Sequence, residues 1–229
     1  MTRADMLSEL KAILRETSVD AAWGDTLLLG YLSEGQDKFC EETGFIIDNT
    51  NYTITLVEGQ TAYTLDDRII KVLNVYNGTT QLGKFQESDR YLSDFYSQEF
   101  PLSSATPYAW QQDRATGTLT LYTAPTATDA GTQLTLRVWR YPRYELTNND
   151  IDGAGTDASP EIPSRFHRAP IHWAAYKALS HHDFEQQDSV KARDHKLFWE
   201  EYLWNGRTHF ENMHNRRMQV SPSPVYTVR

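Results

Sequence analysis

The 229-residue sequence holds a single cysteine, Cys40. No intramolecular disulfide can form, which suits a reducing cytoplasm. No stretch approaches the ~18 uninterrupted apolar residues of a membrane span. The opening Met1-Thr2-Arg3-Ala4-Asp5 carries no apolar signal core. Assembly in the cytoplasm, with no membrane partner, is therefore expected. Catalytic motifs are missing as well: there is no Gly-x-Ser-x-Gly elbow, no phosphate-cradling Gly-rich loop, no His-Glu-x-x-His and no Cys-x-x-Cys. Seven histidines are present, but His167 and His172 are five apart and His181 and His182 are adjacent. Neither spacing stacks two imidazoles on one helix face. The pairs Asp66-Asp67 and Glu200-Glu201 are read as solvated charge rather than as an acid and base. No metal, no cofactor and no enzymatic activity are expected.

Positive charge is also scarce. The formal net charge is −9 and the pI about 5.2. Such a chain does not hold nucleic acid through its overall field. It can surround DNA without gripping it, because like charge repels phosphate. What is present is apolar and aromatic material: 39% hydrophobic residues, with 13 Tyr, 9 Phe and 6 Trp. That supplies a core and leaves aromatics for interfaces.

Met6, Leu7, Leu10, Ile13 and Leu14 recur at helical spacing, predicting an amphipathic helix over 2–16. A second helix is predicted over 26–43, with Asp25 as cap, Leu28, Tyr31, Leu32, Gly35 and Phe39 as stripe, and Gly44 as stop. The period then changes to two. Strands are expected at 52–57, 62–65, 69–76, 79–82, 107–111, 118–123 and 133–141, with Asn77-Gly78 as a type I′ hairpin signal. A short helix is expected over 88–97, capped by Ser88. Tyr108, Trp110, Tyr122, Trp139 and Tyr141 are read mainly as cross-strand packing, with sugar stacking the rarer use. Residues 146–160 read as a polar linker.

Helical spacing resumes at Pro163, with a kink or a restart expected at Pro170. A last helix is predicted over 185–205, with Val190, Leu197, Phe198, Glu201 and Trp204 on one stripe. Periodicity fades after Gly206, and residues 213–229 contain two prolines. Residues 206–229 carry Arg207, Arg216, Arg217 and Arg229 against Glu211, a net of about +3 at ordinary side-chain pKa values. A basic, extended end on an acidic body reads either as a peg for a partner or as a frayed terminus.

The fold class expected is thus α+β. A helical bundle (1–49 and 161–210) carries an inserted antiparallel, sandwich-like β module (50–145), a linker (146–160) and an extended C-terminal tail (211–229).

Three segments resemble the head-to-tail adaptor, or connector, proteins of tailed bacteriophages. They are Tyr31 to Phe45, the run Gly59-Gln60-Thr61-Ala62-Tyr63-Thr64-Leu65-Asp66-Asp67, and Pro160 to His167 followed by Ile171 to Leu179. Asp66 stands where that family usually has proline, and Pro170 where it has an apolar helix former. The resemblance implies a structural subunit, not an enzyme. Such adaptors form a homo-oligomeric, usually dodecameric, ring beneath the portal protein, with DNA passing through the channel unbound. Tail hub, nozzle or tube proteins attach on the other side. The resemblance further implies that the C-terminal tail grips the portal, here through Arg216, Arg217, Met218, Val220, Pro222, Pro224, Val225, Tyr226, Val228 and Arg229. The alternatives are a tail-completion protein one layer further out, a tail-associated peptidoglycan hydrolase, and a sugar-binding module.

Overall fold

The computed structural model describes residues 1–15, 23–84, 107–146, 159–180 and 189–218, with only the backbone of 213–218. The chain divides into two compact units: Met1–Phe45 with Pro142–Arg229, and Ile46–Tyr141. The expected helix over 88–97 and residues 147–158 of the expected linker lie outside the described residues.

The first unit is helical. Helix α1 (Arg3–Leu14) opens on a reciprocal cap: the Asp5 backbone N–H donates to the Thr2 hydroxyl, and the Thr2 N–H donates to the Asp5 carboxylate. Helix α2 (Asp25–Thr43) begins after Gly24, which makes no side-chain cap. Asp25 is therefore the first helical residue and not the cap expected; its carboxylate pairs with Lys11 of α1. Gly44 ends α2 in the left-handed conformation, φ 70°. A 3-10 turn (Ser164–Phe166) leads into α3 (Arg168–Leu179), and α4 (Ser189–Met218) closes the unit. Met6, Leu10, Trp23, Leu28, Leu32, Leu146, Ile171 and Ala174 form one buried cluster. Leu146, expected to open the linker, is fully buried there, and its N–H donates to the Ser33 hydroxyl.

Pro170 marks a restart and not a kink: after the 3-10 turn a new helix, α3, begins at Arg168. It lies in the first turn of α3, where its missing N–H would have had no helical acceptor. Its backbone is instead the surface on which α2 rests. A Cβ placed on Gly35 would come within 2.9 Å of the Pro170 Cα. Glycine there lets the two helices approach to backbone contact.

The second unit is all β. One sheet runs β1 (Ile47–Thr55), β8 (Gln133–Arg140), β3 (Ile69–Asn77), β4 (Thr80–Gln81). The other runs β2 (Ala62–Thr64), β7 (Thr118–Tyr122), β6 (Ala109–Asp113), β5 (Gly83–Lys84), with only β5–β6 parallel. Leu56, Val72, Val75, Trp110, Leu119, Leu134, Leu136 and Val138, drawn from both sheets, share one apolar cluster. Leu134, Leu136 and Val138 do share the buried face of β8, as the period of two predicts. The β3–β4 loop is Gly78-Thr79, because Asn77 already pairs with Thr80. Gly78 has φ 57° and Thr79 is not in the positive-φ region. That is the type II′ pattern rather than the type I′ turn expected. The Gly59–Tyr63 segment is held by its own residues. Gly59 turns at φ 74°, and the Tyr63 hydroxyl accepts from the Val57 N–H and donates to the Gln60 carbonyl.

The glycine contact is open to test. Gly35→Ala should lose about 1–3 kcal/mol in urea unfolding, as small-to-large changes in tight packing do. Gly30, on the same helix, has nothing within 4 Å of where a Cβ would stand. Gly30→Ala should be neutral or gain up to ~1 kcal/mol from helix propensity. Equal effects at both positions would contradict the packing argument.

Candidate docking surface on the terminal helix

Helix α4 has 30 residues, roughly 45 Å at the usual rise. The fading periodicity predicts a stop near residue 205 and a tail from 211. The helix instead runs on to Met218, because Gly206 is a packing glycine and not a stop. A Cβ on Gly206 would meet Thr43 Cγ2 at 2.8 Å and the Phe39 ring at 3.0 Å. The missing side chain lets α4 lie against the end of α2. Arg207 also belongs to this contact rather than to a basic tail: its guanidinium pairs with the Glu42 carboxylate and donates to the Glu42 carbonyl.

The buried face of α4 is made by Ala192, Trp199 and Gly206. Trp199 stacks near Phe39 and Trp173, with centroids 6.1 and 5.3 Å away. Further along, Phe45 stacks on His209 at 5.8 Å. The stripe read from the sequence is a single face, but it is the face turned outward. Val190 is 69% exposed, Leu197 54%, Phe198 48% and Trp204 67%. Val190, Leu197 and Trp204 stand seven residues apart, so they align along the helix. Four of the eight large apolar side chains exposed among the described residues lie on this one helix. Contiguous apolar exposure of this kind marks an interaction surface.

Beside the stripe is a cleft of about 480 Å³ lined by Glu9, Arg168, His172, Phe198, Glu201 and Tyr202 among others. Arg168 pairs with Glu9 at 3.2 Å. His172 of α3 meets His195 of α4, Nδ1 to Nδ1 at 3.0 Å. Burial, then the His195 and Arg168 charges, push His172 down to about 4. Burial also lowers His195, against the pull of Asp194. No spacing within one helix announced this pair, since it forms between helices 23 residues apart in sequence.

The chain matches the model of the SU10 adaptor protein family over residues 1–225. It belongs to that family. The adaptor chain is thus a structural protein of a phage, as the resemblance of its three segments implied. No curated protein matches the sequence. In the adaptor chain no helix among the described residues is long and apolar enough to cross a membrane.

Of the residues expected to grip the portal, Arg216, Arg217 and Met218 fall on the last turn of α4, in a helical and not an extended backbone. Val220, Pro222, Pro224, Val225, Tyr226, Val228 and Arg229 lie outside the described residues. Trp110, weighed for sugar stacking, is fully buried in the β core, while Tyr108 is exposed.

One charge works against the helical unit. Burial, then the nearby Glu145 and Glu34 carboxylates, raise Asp37 of α2 to about 6 from 3.8. Between those values the folded chain keeps a proton that the unfolded chain releases, so stability falls as pH rises from about 4 to about 6. Asp37→Asn should therefore raise the melting temperature at pH 7, by an increment of roughly 1–3 kcal/mol at ~1.4 kcal/mol per pKa unit. The gain should vanish near pH 4. A gain of the same size at both pH values would reject the electrostatic cause.

Proposed function

We propose that this adaptor is a ring subunit at the head-to-tail junction, packed side by side with copies of itself beneath the portal protein. In this reading the helical unit is a bundle and the β unit a sandwich-like insertion. The portal is gripped by the end of α4 and the residues beyond it, and tail hub, nozzle or tube proteins are carried on the other side. The observation that carries the reading is the outward apolar stripe of α4, on the helix that leads directly to the C-terminal segment. Trp204 and Phe198 are the kind of anchors that dominate interfaces. In a ring each copy meets its neighbour through the same pair of patches, so one stripe per chain serves every lateral contact. The acidic body fits a channel that DNA traverses without sticking.

Leu197→Glu with Trp204→Glu tests the lateral role. Both positions are exposed, so monomer stability should move by no more than ~0.5 kcal/mol. Decoration of purified portal by complete rings, seen in electron micrographs, should fail. Complete rings from this variant would reject the stripe as the lateral contact.

Truncation after Met218, and separately Arg216→Glu with Arg217→Glu, tests portal docking. Both proteins should melt within ~0.5 kcal/mol of the parent, as changes away from a core do, and should no longer co-sediment with portal. Undiminished co-sedimentation would reject the C-terminal segment as the portal contact, and a parent chain that does not co-sediment would favour the tail-completion reading, whose neighbour is not the portal.

A further inference from the structure

We propose that His172 and His195 form a binding site for one divalent transition-metal ion of the nickel, copper and zinc group, clamping α3 to α4. The inference does not rest on the ring reading.

Two imidazole Nδ1 atoms from different helices lie 3.0 Å apart. Metal–imidazole bonds are ~2.0–2.1 Å, so an ion equidistant from both nitrogens would see them at about 95°. That is the angle of two adjacent corners of a square-planar or octahedral centre, the geometry copper and nickel favour with nitrogen and oxygen donors. The rings are already held. His172 lies against Phe198 at 5.1 Å and Tyr202 at 5.7 Å, and against His195 itself at 5.3 Å. Burial keeps both imidazoles in the neutral form that ligates.

Without metal, one ring must donate an Nδ1–H to the bare Nδ1 of the other. On binding, the donor ring moves that hydrogen to Nε2, and the metal bonds both nitrogens from a point off the line that joins them. No proton is lost in the exchange, and both rings stay neutral. Among the described residues no third His, Cys, Asp or Glu joins the pair. The protein therefore supplies two ligands, and water from the adjoining cleft completes the shell. The cleft also carries Glu201 and Tyr202, whose oxygens border it. The Arg168 guanidinium, whose charge is felt at His172, is paired with Glu9, which offsets part of its repulsion of a cation. With two protein ligands the site binds more weakly than the four-ligand cages of structural zinc, so its occupancy follows the free metal concentration.

Isothermal titration of the full chain with Ni²⁺ at pH 7.5, in buffer free of chelators, reads the stoichiometry. His172→Phe keeps the aromatic stack, and His195→Gln keeps a polar side chain. Each should take up one ion fewer than the parent, with unchanged helical circular dichroism. Paramagnetic resonance of the Cu²⁺-loaded parent should show a signal with two nitrogen donors, and that signal should be missing from either variant. Equal uptake by the parent and both variants would overturn the site, because the ions would then sit on other histidines. So would a copper spectrum with no loss of nitrogen coupling on substitution, whichever variant folds.

Discussion

The helical unit depends on backbone reaching its neighbour at two places where a side chain has been left out. At Gly35, α2 touches the first turn of α3 at Pro170. At Gly206, α4 closes on Thr43 and Phe39 at the far end of α2. Between those contacts Phe39, Trp173 and Trp199 fill the space in tilted and edge arrangements. Fixing α4 at one end by Gly206 and Arg207, and along its length by Ala192 and Trp199, also fixes its rotation. Once Ala192, Trp199 and Gly206 face inward, Val190, Leu197 and Trp204 have nowhere to go but out. The outward apolar stripe is thus a consequence of how the helical unit closes.

That coupling explains which parts of the architecture were legible in the sequence. Periodicity located α1, α2 and the strands around the β core, because there local pattern and tertiary packing agree. It also identified the α4 stripe as one face. It could not say which way that face points. Small residues such as Ala192 and Gly206 carry little hydrophobic weight, yet they make the buried side by allowing close approach. A glycine reads as a terminator when φ is unknown, which is right for Gly44 and wrong for Gly206. Proline reads as a kink or a restart when its place in the helix is unknown, and Pro170, in the first turn of α3, belongs to a restart. The His172–His195 pair shows no spacing at all in the sequence, since its two members come from different helices. At Asn77-Gly78 the dipeptide marked the hairpin, and a one-residue difference in register changed the turn type.

The β unit holds its own through a different device. Arg140 lies on the buried side of β8 and pairs with Asp48 at 3.2 Å, each side chain only 5% exposed. Burying a charge costs several kcal/mol unless it is fully bonded. Here Asp48 also accepts from the Thr50 and Asn51 backbone N–H groups and the Asn51 amide. Burial pushes its carboxyl up, and those four donors more than reverse that, holding it well below the usual carboxylate range. The register of β1 against β8 shifts in the same stretch, between Asp48 and Tyr52. The carboxylate satisfies the backbone groups that the shift frees from the ladder. The ion pair thereby ties the start of β1 to the end of β8.

An exposed apolar helix face carries opposite consequences for a free chain and for an assembled one. In water, each of Val190, Leu197, Phe198 and Trp204 forgoes part of the ~1.5–3 kcal/mol that burying such a side chain yields. Two copies brought together recover some of it, but association costs several kcal/mol in lost translation and rotation. A single contact of this size is therefore weak. Charges set beside the apolar positions, Asp194, Glu200 and Glu201, keep the face hydrated. In the ring proposed above the balance would change, since the last subunit to join would gain two contacts for one loss of freedom. On that proposal, a face too weak to pair free chains is still strong enough to seal a closed circle.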